Sequence, residues 1–160
     1  MKKNVMSLLI GVVGSIGGFA GGIYLKGKEN AKTEDKRIKM VEFYNLLLEW
    51  LSIEQQGKNL ENYFIEKKYK TIAIYGMKEL GDRLYYELKN SNNVQVKYAI
   101  DKNADDIISD LEILKPDDAL EPVDAVVVTA IHYFDEIESD LSCVIDADIV
   151  SLEDVIFNIN

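Results

Sequence analysis

The residues best suited to chemistry lie in Gly76-Met77-Lys78-Glu79-Leu80-Gly81, which follows the short apolar run Thr71-Ile72-Ala73-Ile74-Tyr75. A glycine-rich turn between a strand and a helix is where nucleotide phosphates are cradled, because backbone N–H groups and the positive end of the helix dipole converge there. Gly76 suits the sharp turn, and Gly81 suits close packing of helix on strand. Lys78 stands where a second glycine ordinarily lets the backbone approach a pyrophosphate. Its ammonium could meet one phosphate, whereas Glu79 in the same turn repels anions. Asp101 follows Gly81 by 20 residues, at the end of the next expected strand. A carboxylate there can accept hydrogen bonds from ribose hydroxyls, and a strand-end aspartate can equally cap the turn after it. Thr129 and His132 follow a third strand and are expected to face the same crevice. The candidate binding set is therefore Gly76, Met77, Lys78, Gly81, Asp101, Thr129 and His132, with a nucleotide or nucleotide-sugar as the possible ligand.

Other chemistry is sparse. One histidine and one cysteine supply neither a metal cluster nor a nucleophile–base pair, and no serine lies in a nucleophile elbow. No catalytic residue and no metal ligand is assigned. Tyr63 and Lys67 have the spacing of a short-chain reductase pair, but they precede the first strand and are expected on the surface. Cys143, alone, allows no internal disulfide and is expected to fill a small apolar space beside a strand.

The elements that must position the loop are legible from periodicity. Leu80, Leu84 and Leu88 recur at helical spacing after the loop, and Val94, Val96, Tyr98 and Ile100 alternate as a strand does. Residues 107–114 allow either a helical turn or a short strand near Ile113. Val123 to Thr129 is the clearest strand, Tyr133 to Leu141 a helix, and Val144–Asp146 or Asp148–Val150 a last strand. Leu152 to Phe157 closes as a helical turn. This order predicts an α/β fold, a small Rossmann-like parallel sheet over residues 58–160.

Two segments precede it. Val5 to Leu25 holds 21 residues without a charge, flanked by Lys2, Lys3, Lys26 and Lys28. As a helix it is long enough for a bilayer's hydrocarbon core, so residues 1–28 are expected to be a single-pass transmembrane anchor. A cleaved signal peptide is the alternative, with Gly18-Phe19-Ala20 as its processing site. The lysine and arginine excess after the run places the globular part in the cytoplasm, at the inner membrane. Gly14, Gly18 and Gly22 share one helical face and could bring two copies together as a homodimer.

Residues 29–57 are expected to form a long juxtamembrane helical connector, helical from Thr33 to about Gln56. Its core face would carry Ile38, Val41, Leu48 and Leu51, widened by Tyr44, Leu47 and Trp50. Gly57 ends it, and Asn59 can cap a second helix, Leu60 to Lys68, offering Leu60, Phe64 and Ile65 for packing.

Charge narrows the partners. The net charge is −10 over 160 residues. Residues 1–69 hold 11 Lys and Arg against 8 Asp and Glu, a net of +3, whereas residues 70–160 hold 7 against 20, a net of −13. A nucleic-acid surface on the acidic half is excluded on this ground.

The segments IAIYGMKELGDRLYYEL, VKYAIDKN, VDAVVVTA and VSLEDVI resemble the small Rossmann-like domain of bacterial polysaccharide-biosynthesis proteins, the nucleoside-diphosphate-sugar epimerase-like group. They are similar also to the N-terminal nucleotide-sugar-binding domain of sugar acyltransferases. The likeness covers about Leu60 to Phe157. It carries over Gly76 and the Ile100-Asp101 pair, while Lys78 departs from the family's Tyr-Gly-Ala-Gly loop. The resemblance implies a non-catalytic nucleotide-sugar-binding or regulatory module at the membrane where glycans are built, with glycan-synthesis proteins as partners. The competing reading is a ligand-free, membrane-tethered interaction scaffold on a degenerate fold. An epimerase or oxidoreductase is a third.

Overall fold

The computed structural model describes residues 32–159. The expected anchor at Val5 to Leu25, its glycine stripe and its processing site lie outside them. Among the described residues no helix is long and apolar enough to cross a membrane. The chain divides into two units, Met1–Tyr44 and Asn45–Asn160.

Residues 32–55 are helical (α1). Four elements carry the rest of the helical content: α2 (Glu61–Lys67), α3 (Glu79–Leu88), α4 (Phe134–Leu141) and α5 (Leu152–Phe157). The strands are β1 (Thr71–Tyr75), β2 (Gln95–Ile100), β3 (Ile113–Leu114), β4 (Ala125–Val128) and β5 (Asp148–Ser151). They form one sheet in the order β3-β2-β1-β4-β5, and every pairing is parallel. This is the α/β, Rossmann-like architecture that the strand and helix order predicts. The ambiguous stretch 107–114 resolves to the short strand, the two-residue β3, and the 3-10 turn at Ala104–Asp106 lies just before it. The last strand is the second of the two candidates.

Parallel strands covered on both faces must be apolar throughout, and β4 is buried at all four positions. Alternation divides its side chains. Val126 and Val128 join Ala73, Tyr75, Tyr98 and Ile100 in a core completed by Ile137 and Leu141 of α4. α3 packs on β1 and β2, and it buries Leu80, Leu84 and Leu88 at successive helical turns.

The connector departs from expectation. Ile38, Val41, Tyr44, Leu48 and Leu51 are all exposed. In the second unit the same helix buries Leu46, Trp50 and Ile53 instead, so Trp50 alone of the expected set is fully enclosed. The reason is polar as well as apolar. Trp50 Nε1 donates to Glu87 Oε2 on α3 at 2.7 Å, and Glu87 Oε1 accepts from the Leu60 N–H at 2.6 Å. Arg83 lies 5.4 Å from the Trp50 ring and pairs with Glu54 at 2.9 Å. An indole whose N–H has a partner can be fully enclosed, and helical periodicity does not report that partner.

Three smaller corrections follow. Tyr63 is buried, edge-on to Phe64, while Ile65 is exposed. The residue preceding α2 is Leu60 and not Asn59, and no side chain caps that helix. Cys143 is exposed, because it lies in the turn that follows α4 and not beside a strand.

Candidate functional site

The carboxyl ends of β1, β2 and β4 bring the loop residues together. Beyond Tyr75 the chain turns at Gly76, with φ +94°, the left-handed region that favours glycine. Its N–H donates to Ile100 O at 2.8 Å, so the turn sits directly beside the end of β2. A Cβ on Gly76 would lie 2.8 Å from Thr129 Oγ1, and one on Gly81 would lie 1.9 Å from Gly76 O. Both glycines are therefore demanded by close packing of the loop on itself and on the end of β4.

The polar groups of this rim bond to one another. Thr129 N donates to Tyr75 O at 2.9 Å, and its hydroxyl donates to Gly76 O at 2.6 Å. Asp101, 7 % exposed, accepts through Oδ2 from the Met77 N–H at 2.9 Å and through Oδ1 from the Asn103 N–H at 2.9 Å. The second contact is an Asx-type turn. The first joins the carboxylate to the glycine loop itself. The Met77 side chain is buried, its sulfur beside Gly81. Among the described residues no buried side-chain N or O atom lacks a hydrogen-bond partner.

Lys78 is exposed and occupies the position before α3 in an extended conformation. Glu79 and Asp82 stand in the first turn of that helix, which stabilises it and makes its N-terminus a poor host for an anion. A residue outside the expected set reports the same field. The Tyr75 phenol is pushed above its ordinary value by burial, and then by the charges of Asp101, Asp140 and Glu136. Asp101 and two acids of α4 thus add negative charge around the Tyr75 phenol.

His132 lies elsewhere on this rim, in a 3-10 turn at Ile131–Tyr133 that leads into α4. The cavity described there, of about 260 Å³, is lined by residues 131–136, with Asp135 and Glu136 among them. None of the other six candidates lines it. Gly76, Met77, Asp101 and Thr129 are thus brought together by hydrogen bonds, with Gly81 packed against Gly76 and Met77, Lys78 stands at their margin, and His132 belongs to a separate concavity. Among the described residues no group of three or more His, Cys, Asp or Glu could hold a metal ion.

Sequence reasoning missed Tyr75 and Asn103. The Asp-x-Asn spacing signals the turn at Asn103. No pattern signals the Met77–Asp101 bond, which joins two segments 24 residues apart. Comparison with family models, with curated proteins and with solved structures finds no match to this chain.

Proposed function

We propose that this chain is a membrane-tethered, non-catalytic module of cell-surface glycan synthesis. It acts as an interaction scaffold whose mononucleotide-type crevice is closed by its own residues. One observation carries the reading: the Asp101 carboxylate, which would hold a ribose, is buried and bonded through both oxygens to backbone N–H groups of the chain. Three further features support it: Lys78 in place of a glycine, the buried Met77 side chain, and the carboxylates around Tyr75. The tether rests on the uncharged run Val5 to Leu25 and its lysine flanks. On this reading the protein is a single-pass chain of the inner membrane with its globular part in the cytoplasm. The glycan setting rests on the resemblance of the four segments quoted above.

A second reading, a nucleotide-sugar-binding module, is favoured by one geometric fact. Gly76 and Thr129 end the neighbouring strands β1 and β4, where the strand order reverses, and open α/β sheets bind ligands at such switch points. The experiment that separates the two follows thermal unfolding of the full chain in mild detergent, using the fluorescence of its single tryptophan. Nucleotide-sugars, mononucleotides and nicotinamide dinucleotides are each added in excess. The scaffold reading expects no shift. A ligand at a hundredfold its Kd would add about 2.7 kcal/mol. A rise with a nucleotide-sugar that Asp101→Asn abolishes would establish the second reading in its place.

A further inference from the structure

Parallel strands are ordinarily joined through a helix that covers the sheet. Between β3 and β4 there is none. Residues 115–124 pass from one edge of the sheet toward its centre, across β2 and β1, as irregular chain. Leu120 in this stretch is half-buried and packs on the core that Tyr75 and Tyr98 share with Ile137 and Leu141 of α4. Asp117, Asp118, Ala119, Glu121 and Pro122 are exposed. The connection thus stands in for a covering helix without a helix's backbone bonds.

Both of its ends are fixed. Leu114 O accepts from the Asp101 N–H at 2.9 Å. At the far end Val123 is buried. There the Asp124 N–H donates to Thr71 O at 2.9 Å, and the Asp124 carboxylate accepts from the Thr71 N–H at 2.8 Å. The middle is held differently, by side chains of two consecutive residues of β2. The Tyr98 hydroxyl donates to Glu121 O at 2.6 Å. Lys97 Nζ lies 2.8 Å from Glu121 Oε2 and donates to Pro122 O at 3.3 Å. Strict alternation would send two neighbours to opposite faces. The register of β1 on β2 shifts at this point: Ile72 pairs with Val96 and Ala73 with Tyr98, which leaves Lys97 over. An extra residue of this kind re-aims a side chain, and here both neighbours reach Glu121.

We propose that residues 115–122 are a strap that lifts on its own, released where Lys97 and Tyr98 hold Glu121, and that lifting uncovers Tyr98 while the sheet stays paired. A segment with few buried apolar contacts and no hydrogen-bonded ladder opens at a lower free energy than the strands beneath it. The fixed ends let the middle leave and return without disturbing β3 or β4. With the strap down, Tyr98 is 2 % exposed, so its phenol reports the movement. This device does not depend on whether the crevice holds a ligand.

The test is nitration of the full chain by tetranitromethane in mild detergent, with Cys143→Ser because that thiol is exposed and would consume reagent. Modification of Tyr98 is read by peptide mass spectrometry at urea concentrations below the unfolding transition. Lifting of the strap alone predicts a Tyr98 rate at least about tenfold above what global unfolding allows. That rate should be nearly flat in urea, because a local opening exposes little surface. Lys97→Met removes the ion pair and the bond to Pro122 and should raise the rate about two- to fivefold. A Tyr98 rate that climbs with urea in step with global unfolding, followed by Trp50 fluorescence, overturns the proposal, since the strap then leaves only with the whole domain. A rate that Lys97→Met leaves unchanged overturns the latch.

Discussion

Replacing Asp101 with alanine should destabilise the protein with no ligand present. The carboxylate accepts the Met77 N–H at a buried position and the Asn103 N–H at a partly buried one, each at 2.9 Å. Removing it leaves the Met77 donor without its acceptor where water has little access, at a cost of roughly 1–3 kcal/mol. Asn103 is exposed, so its N–H turns to water for about 0.5–1 kcal/mol. The loss is therefore about 2–4 kcal/mol in total, a large part of the roughly 5–15 kcal/mol that holds a domain folded. Asp101→Asn keeps one acceptor oxygen and should fall between the parent and Asp101→Ala. The assay is urea unfolding of the full chain in mild detergent, followed by the fluorescence of the buried Trp50. With an m-value of about 2 kcal/mol per molar, the midpoint should drop by about 1–2 M at unchanged slope. If both variants unfold within about 0.5 kcal/mol of the parent, the range of an ordinary surface change, the carboxylate does not hold the loop and the reasoning fails.

Other perturbations test the same framework. Gly81→Ala would set a methyl group 1.9 Å from Gly76 O; a loss of about 3 kcal/mol or more is expected in the same urea assay. Glu87→Ala strands the Trp50 indole N–H and the Leu60 N–H and should cost about 2–4 kcal/mol, with a changed Trp50 emission; Glu87→Gln should lose less. Asp124 is held below the ordinary aspartate value by the N–H groups of Thr71 and Lys70. A depressed folded value means that its contribution is complete above the unfolded aspartate value, near 4, and is lost as pH falls through the lower folded one. Urea midpoints measured against pH should therefore fall in acid, and Asp124→Asn should flatten that fall.

The strands were legible because each is a short apolar run closed by turn residues, as Ala125–Val128 is. The meeting of Gly76 with Asp101 was legible because a strand-turn-helix-strand unit returns the second strand beside the first, ending at the same edge. Two features escaped, and a third stayed open, for physical reasons. α1 carries apolar residues on opposite faces, so periodicity alone could not say which one the domain encloses; the hydrogen bond from Trp50 to Glu87, 37 residues away, goes with the enclosed one. β3 has only two residues, too few for alternation to choose between the helical turn and the short strand near Ile113 that the sequence allowed. The loop's closure depends on the Met77–Asp101 bond, and a carboxylate that binds a ribose and one that binds its own backbone have the same sequence signature.

The most direct measurement is amide hydrogen exchange at Met77 in the full chain, with and without a saturating nucleoside-diphosphate sugar. A crevice closed by Asp101 predicts a protected Met77 amide whose exchange rate the sugar nucleotide leaves unchanged. An amide that exchanges freely on its own, or one whose protection changes when the ligand is added, would contradict the account.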